Sequence, residues 1–297
     1  MLTNEHGTKI FRACHYHIEF ESRVLIMGVL NVTPDSFSDG GMYLDPMKAV
    51  DRVASMIEEG ADIIDIGGES TRPGSYSVDE QEEIRRLKPV LQAVGQRSSV
   101  PISIDTQKSA VAKMAIDLGA VIVNDVSALR HDLKMVKVVE EARAGLVLMH
   151  MQGIPETMQV SPEYRDVVVE VKDFLAKRLA VAVKAGIPKE SILLDPGLGF
   201  GKTVDHNLTL VSHCTELLDL GRPILVGLSN KGFIGKIIGK PIGERMVGTV
   251  AAVAIAVFQG ANIIRVHEVG VMREAMNIAN ALKESNRGSL QSRQEYI

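Results

Sequence analysis

The sequence predicts an α/β fold, a (β/α)8 barrel of the TIM type preceded by a short N-terminal strand or hairpin. Short apolar runs alternate with segments of helical periodicity, and this unit occurs eight times. Runs this apolar are typical of parallel strands that helices cover on both faces. Within 297 residues, eight such units most economically close into a barrel. An open doubly wound sheet is the alternative.

The predicted elements follow one another regularly along the chain. The strands are VLIMGVL, IIDI, PISI, VIVN, LVLM, ILL, ILVG and IIRV. Helical periodicity predicts helices at 46–59, 79–94, 107–118, 132–143, 163–185, 205–219, 244–259 and 270–284. These elements predict one domain over 24–284, an extension over 1–23 and a polar, disordered tail over 285–297.

The N-terminal segment FRACHYHIEF, residues 11–20, alternates β-forming and polar residues, which predicts an edge strand or hairpin. It also contains Cys14, His15 and His17. Adjacent residues of a strand point to opposite faces, so Cys14 and His15 would not converge on one ion. We therefore expect no metal site there.

The composition argues against several classes of partner. A net charge of −4 and the absence of tryptophan disfavour a nucleic-acid surface. The chain shows no secretory leader and no apolar run long enough to span a membrane. Together with two isolated cysteines, Cys14 and Cys214, this predicts a cytoplasmic protein without a membrane partner.

Polar side chains end every predicted strand, and a barrel gathers these ends on one face. They are Asn31, Asp65, Asp105, Asn124, His150, Asp195, the Ser229-Asn230-Lys231 run, and Arg265 with His267. The carboxylates predict a site for a planar ligand rich in N–H donors. Arg265 and His267 share one strand face and predict a phosphate or pyrophosphate site. From these residues alone we expect a small-molecule transferase or lyase with a phosphorylated substrate.

Two further segments refine that expectation. DPGLGFGKT resembles a phosphate loop, but Pro196 occupies a position where the P-loop pattern requires glycine. The strand ends carry no local metal motif, so only Mg²⁺ held by one or two protein oxygens and substrate phosphates remains open. The segments 31–45 and 67–78 are rich in Gly, Ser and Pro and are expected to close over substrate.

The same segments resemble a known family. GVLNVTPDSFSDGG, IDIGGESTRPG, SIDT, NDVS, LMHMQG, DPGLGFGKT, GLSNKGFIG and IIRVHEV are similar, in this order, to the motifs of the dihydropteroate synthases of folate biosynthesis. The resemblance spans residues 24–284. It implies condensation of 6-hydroxymethyl-7,8-dihydropterin pyrophosphate with p-aminobenzoate, giving 7,8-dihydropteroate and pyrophosphate, with Mg²⁺. Pyrophosphate would leave first, and the aniline nitrogen would then attack.

The resemblance also implies residue roles. Asp105, Asn124, Asp195, Lys231 and Arg265 would bind the pterin, and Asn31, Arg265 and His267 the pyrophosphate, with Asn31 also contacting Mg²⁺. Phe37, Asp39, Thr71, Arg72, Pro73, Lys231 and Gly232 would bind or cover p-aminobenzoate, the binding site that sulfonamides target. The catalytic set would be Asp105, Lys231, Arg265 and His267.

One position departs from the family pattern. Members usually carry serine after the site lysine, where this chain has Gly232, so a hydroxyl that helps to bind the p-aminobenzoate carboxylate is missing. Two alternatives stay open: a related pterin-dependent methyltransferase, and a barrel that binds pterin without catalysis. A homodimer is a further expectation, since the apolar helix within 248–260 faces either a partner subunit or the barrel strands.

Overall fold

The computed structural model describes residues 10–20, 23–33, 46–70, 75, 77–95 and 98–294 and confirms the barrel. A two-stranded hairpin, β1 (Ile10–Ala13) and β2 (Tyr16–Glu19), precedes it. The barrel strands are β3 (Leu25–Asn31), β4 (Ile63–Gly67), β5 (Ile102–Asp105), β6 (Ile122–Asp125), β7 (Gly145–Met149), β8 (Ile192–Asp195), β9 (Leu225–Gly227) and β10 (Ile263–Val266). They form one eight-stranded parallel sheet in the order β8-β7-β6-β5-β4-β3-β10-β9. A parallel bridge between Leu194 and Ile224 joins its two ends.

The helices lie where the periodicity predicts them, with three differences. They are α1 (Pro46–Glu58), α2 (Glu80–Val94), α3 (Ser109–Asp117), α4 (Met135–Ala142), α5 (Val167–Lys184), α6 (Val204–Ser212), α7 (Cys214–Leu217), α8 (Gly232–Ile238), α9 (Met246–Phe258) and α10 (Val269–Gln294). The predicted helix 205–219 is divided into α6 and α7, and the short α8 lies outside the predicted set. The prediction of a disordered tail is wrong up to Gln294, because α10 continues past residue 284.

In most of the barrel strands, alternate residues belong to two separate hydrophobic clusters. Ile26 and Ile64 pack with residues of the surrounding helices, whereas Leu25 and Ile63 belong to a second cluster that includes Phe11. Phe11 is fully buried against the start of β7, and its neighbour Ile10 accepts a hydrogen bond from Arg222 at 2.9 Å. The hairpin therefore covers the amino-terminal end of the barrel, which leaves the carboxyl ends of the strands for the site.

Two searches of the described residues gave negative results. In the described ranges, no group of three or more His, Cys, Asp or Glu side chains is arranged to hold a metal ion. Within the same ranges, no helix is both long and apolar enough to cross a membrane.

Candidate active site

The polar strand ends converge on a cavity of about 970 Å³ at the carboxyl end of the barrel. Its walls include six of the predicted site residues, namely Asn31, Asp105, Lys231, Gly232, Arg265 and His267. A small recess of about 20 Å³ shares some of these residues and adds Asn124 and Asp195. The larger volume lies in the range of small-molecule sites in proteins.

Arg265, on β10, ties two carboxylates together across the barrel. Its Nε donates to Asp65 Oδ2 at 2.6 Å, and its Nη2 donates to Asp105 Oδ2 at 2.7 Å. Burial by itself would lower the pKa of Arg265, but Asp65 and Asp105 outweigh burial and raise it. The guanidinium is therefore a fixed cation whose orientation two buried acceptors determine.

Asp105, the last residue of β5, has one carboxylate oxygen that is available to a ligand. Arg265 occupies Oδ2, while Oδ1 is buried without a hydrogen-bond partner among the described residues. Burial raises the pKa of Asp105 to about 7, although the charge of Arg265 opposes the rise. A buried acceptor without a donor is costly, so this side chain is suited to a ligand that brings N–H groups.

Asp65 is fully buried and completes this arrangement from the neighbouring strand β4. Besides Arg265, Asn124 donates to its Oδ2 at 3.1 Å, which fixes the Asn124 amide beside the recess. The strand-end pattern includes Asp65, but no role is predicted for it from the sequence. Its contacts show that it orients Arg265 and Asn124.

Asp195 and Lys231 form the opposite wall of the recess. The Gly197 N–H donates to Asp195 Oδ1 at 2.7 Å, while burial raises the pKa of the Asp195 carboxyl. Burial lowers the pKa of Lys231 to about 8, with Asp195 opposing the decrease. The Lys231 ammonium lies 4.4 Å from the centroid of the Phe200 ring, a cation–π contact that holds it over the recess.

His267 and Asn31 meet on the other side of the cavity. The Nδ1 atom of His267 lies 2.9 Å from Ser229 Oγ, and its Nε2 lies 3.3 Å from Asn31 Nδ2. If Asn31 donates to Nε2, then Nδ1 carries the proton and donates to Ser229, a hydrogen-bond role not predicted for Ser229. The Asn31 carbonyl oxygen then remains an acceptor, and one such oxygen fits a magnesium ion held mainly by phosphate and water.

Lys202 belongs to the glycine-rich segment DPGLGFGKT, and its ammonium binds backbone carbonyls of that same segment. Its Nζ donates to the carbonyls of Gly197 at 2.9 Å and Phe200 at 3.1 Å, and lies 2.9 Å from His150 Nδ1. Burial lowers the pKa of Lys202 to about 7, and burial followed by the Lys202 charge lowers that of His150 to about 2. These two residues thus support the loop that carries Phe200, a role that only the folded arrangement reveals.

Other predicted residues occupy the edge of the site or lie outside the described residues. Gly232 begins α8 and lines the cavity, and a Cβ atom built on it meets nothing within 4 Å. The predictions for Phe37, Asp39, Thr71, Arg72 and Pro73 concern positions outside the described residues.

Comparisons with known proteins agree with this geometry. The model of the family described as "Pterin binding enzyme" matches residues 27–267. The chain is 45% identical to the dihydropteroate synthase of Haemophilus influenzae, over 86% of this chain and 93% of that protein. For the Escherichia coli K12 dihydropteroate synthase the identity is 45%, over 86% of this chain and 90% of that one.

Solved structures show the same relationship. The Yersinia pestis dihydropteroate synthase, in a sulfonamide drug complex, matches with a TM-score of 0.87 and 42% identity over 93% of this chain and 99% of that chain. The Xanthomonas albilineans enzyme with 4-aminobenzoic acid matches with a TM-score of 0.86 and 41% identity over 93% and 98%. This chain belongs to the pterin binding enzyme family.

Proposed function

We infer that the chain is a dihydropteroate synthase, a transferase that joins a dihydropterin to p-aminobenzoate. The observation that carries this inference is one cavity in which the buried acceptors Asp105 and Asp195 lie beside the cations Arg265 and Lys231. The relatives named above carry the same activity in their names. A structure of the Xanthomonas albilineans enzyme in complex with 7,8-dihydropteroate also matches, with a TM-score of 0.82.

The recess supplies the groups that a pterin ring requires. Its amino and ring N–H groups need acceptors, which Asp105 and Asp195 offer, and Asn124 adds an amide. Its carbonyl needs a donor, and the Lys231 ammonium lies at the same recess. Arg265, held flat by two carboxylates, offers a planar surface on which the ring can stack.

The cavity of about 970 Å³, the outer cavity, supplies groups for the diphosphate. Arg265 and His267 would stabilise the charge that develops on the leaving oxygens. Asn31 would offer its carbonyl oxygen to Mg²⁺, which when bound neutralises phosphate charge. Departure of pyrophosphate leaves a cationic pterin methylene, which the nearby carboxylates stabilise. The aniline nitrogen then attacks this carbon as a neutral amine, so no strong base is needed for the attack. The nitrogen of the new C–N bond carries one extra proton, which it loses to water to give the secondary amine of dihydropteroate.

The activity is tested by supplying dihydropterin pyrophosphate and Mg²⁺ while p-aminobenzoate is varied into the millimolar range. We expect saturable formation of dihydropteroate and a loss of rate when a chelator removes Mg²⁺. If the pterin substrate bound tightly but no product formed at any p-aminobenzoate concentration, the chain would be a pterin-binding protein without synthase activity.

The pKa of Asp105 predicts a pH dependence of pterin binding. Arg265 occupies Oδ2 of Asp105, so a proton would bind Oδ1 and turn the oxygen available to the pterin from an acceptor into a donor. The charged groups that Asp105 faces are Arg265, Lys231, Asp65, Glu69 and Glu83. With a pKa of about 7, Asp105 becomes protonated as the pH falls through neutrality. We expect the affinity for 6-hydroxymethylpterin to fall below pH 7 by about tenfold per pH unit, the slope for uptake of one proton.

Calorimetric titrations at pH 5.5, 6.5 and 7.5 would measure this slope. An affinity that is constant over this range would show that Asp105 is ionised throughout or does not contact the pterin.

Because position 232 is glycine and lacks a side-chain hydroxyl, we expect weak binding of p-aminobenzoate. A hydrogen bond to a charged group contributes roughly 1.5–3 kcal/mol, and Gly232 offers no hydroxyl for the substrate carboxylate. There is space for a side chain at this position, so we expect Gly232→Ser to lower the KM for p-aminobenzoate by about tenfold.

The matched control is Gly232→Ala, which adds the Cβ atom without the hydroxyl and should leave this KM near that of the wild type. An equal decrease of the KM for p-aminobenzoate in both variants would mean that the helix propensity or rigidity of α8 causes the effect, and not the hydroxyl.

We propose that the chain forms a homodimer through α9 and α10, which pack against each other. Exposed apolar residues follow helical spacing along both helices: Val247, Ala251, Ile255 and Phe258 on α9, and Val271, Ile278 and Leu282 on α10. Apolar stripes of this kind on a protein surface mark interaction sites. We expect twice the chain mass in light scattering, and a monomer for an Ile255→Glu, Ile278→Glu variant.

Leu133→Glu is the control, because Leu133 is an exposed apolar residue, 80% accessible, on neither helix. A wild-type chain that is monomeric at micromolar concentration would contradict the proposal.

A further inference from the structure

Three charged side chains form a network next to the site, where the connection from β4 to α2 leaves the barrel. The Lys108 ammonium pairs with Glu69 Oε2 and donates to Glu83 Oε2, the latter at 2.6 Å. Glu83 is fully buried, and the side chains of Lys108 and Glu69 are only 11% and 12% exposed. The network has two carboxylates and one ammonium, so a buried site holds more negative than positive charge.

Such a network is a poor source of stability. Desolvation of a buried ion pair offsets most of its Coulomb attraction, and apolar replacements of such groups are often neutral or stabilising. The apolar residue Leu87, next to Glu83 on α2, is fully buried and shows that this environment accommodates apolar side chains. The contacts of the three charged residues point instead to a role in positioning the chain.

The network and its neighbours attach both ends of the β4–α2 connection. At the first end, Arg86 of α2 donates to the Gly68 carbonyl at 3.0 Å, and Glu69 pairs with Lys108. At the second end, the Val78 N–H donates to Glu69 Oε1 at 3.2 Å. Glu69 therefore holds the two ends together while Lys108 fixes Glu69 between α2 and α3.

A further bond crosses between the same two ends. Ser75 Oγ donates to the Ser70 carbonyl at 2.5 Å, so two hydrogen bonds join Glu69 and Ser70 to Ser75 and Val78. Glu69, Ser70, Ser75 and Val78 all lie on the wall of the 970 Å³ cavity. None of them lines the recess that holds Asp105, Asn124 and Asp195. These four described residues thus form part of the wall of the outer cavity and none of the wall of the recess.

We propose that Glu69, Lys108 and Glu83 are positioning residues that hold Ser70, Ser75 and Val78 at the wall of the outer cavity and thereby determine the affinity for the aromatic amine substrate. This proposal rests on the proposed function. The acceptor amine must approach the pterin methylene from the outer cavity, because the recess, at about 20 Å³, has no space for a second ring beside the pterin. Groups that line only the outer wall act mainly on the second substrate. Their influence on the recess is electrostatic, since the charges of Glu69 and Glu83 contribute to the raised pKa of Asp105.

The experiment compares Michaelis constants for both substrates in Glu69→Ala, Lys108→Met and Lys108→Arg. We expect Glu69→Ala and Lys108→Met to raise the KM for p-aminobenzoate by about tenfold or more, since small displacements of positioning groups have effects of this size. At pH 8, where Asp105 with its pKa of about 7 is ionised, the KM for dihydropterin pyrophosphate should stay within about twofold of the wild type, because neither residue lines the recess. Lys108→Arg retains the cation and should recover most of the affinity for p-aminobenzoate.

The matched control is Lys113→Met on α3, the helix that begins directly after Lys108. Among the described residues Lys113 pairs with the exposed Asp117 alone, and its side chain is 66% accessible. Lys113→Met should leave both constants unchanged. If Lys108→Met fails to fold, Glu69→Ala decides alone, because it leaves Lys108 and Glu83 as a neutral pair.

Two results would overturn the proposal: an unchanged KM for p-aminobenzoate in folded Glu69→Ala, or an equal rise in both constants. A purely structural network would lower the melting temperature and leave both constants of the folded enzyme unchanged. Failure of the proposed function is a separate result, since the wild-type chain would then form no dihydropteroate.

Discussion

An Arg265→Met variant is expected to lose about three orders of magnitude in kcat/KM for dihydropterin pyrophosphate. Arg265 binds both Asp65 and Asp105, and in the proposed mechanism it would also stabilise the negative charge of the leaving pyrophosphate. Losing a donor that stabilises charge in the transition state costs about 100- to 1000-fold by itself. The loss of ring stacking and of the ordered Asp65 and Asp105 carboxylates adds to this effect.

The same variant should also be less stable. Asp65 and Asp105 would remain buried without their cation, and breaking a buried pair in this way costs about 3–5 kcal/mol. Chemical denaturation gives the free energy of unfolding, and kinetics at a temperature where the variant is folded give kcat/KM. An Arg265→Lys variant keeps the charge but lacks the planar fork, so it should recover stability more than activity. Wild-type kcat/KM in folded Arg265→Met would refute the assignment.

An Asp105→Asn variant is expected to bind 6-hydroxymethylpterin about 100-fold more weakly, since a hydrogen bond to a charged group contributes about 1.5–3 kcal/mol. The change preserves shape but removes the charge, and it replaces one acceptor oxygen by an NH2 group. That group would face either Arg265 or the N–H donors of the ligand, and both contacts are unfavourable. Titration calorimetry measures the affinity directly.

Asp125→Asn provides a comparison within the same barrel. Asp125 is also a buried strand-end carboxylate, but its oxygens accept hydrogen bonds from Ser127 and Leu129. It does not line the cavity or the recess, so its substitution should reduce stability and leave pterin affinity intact. Equal losses of affinity in both variants would mean that the effect of Asp105→Asn comes from general destabilisation.

Much of the fold is predictable from the sequence because the strands are so apolar. Runs such as ILL before Asp195 are buried on both faces, which only a helix-covered parallel sheet allows. The polar residue that ends each run then identifies the carboxyl end of that strand, and this inference needs no distance between residues. The end of α10 was not predictable in this way, because the polar residues after position 284 have no apolar periodicity to signal a helix.

The residues that line the cavity were predictable where a polar side chain ends a strand, and less so where one side chain supports another. Asp105, Lys231 and Arg265 follow from their positions at strand ends, and the structure brings them together. Lys202 lies in a segment that resembles a phosphate loop, but its ammonium donates to the carbonyls of that segment. Glu69 and Lys108 are distant in sequence, and a pairing of this kind depends on helix packing, which no local pattern encodes.

The most direct test of the central claim is to quantify both products in one reaction that contains dihydropterin pyrophosphate, p-aminobenzoate and Mg²⁺. A synthase must release pyrophosphate and 7,8-dihydropteroate in equal amounts, and formation of both should depend on Arg265. Pyrophosphate released without dihydropteroate would identify a hydrolase, and the absence of both products would contradict the assignment of this cavity as a site of condensation.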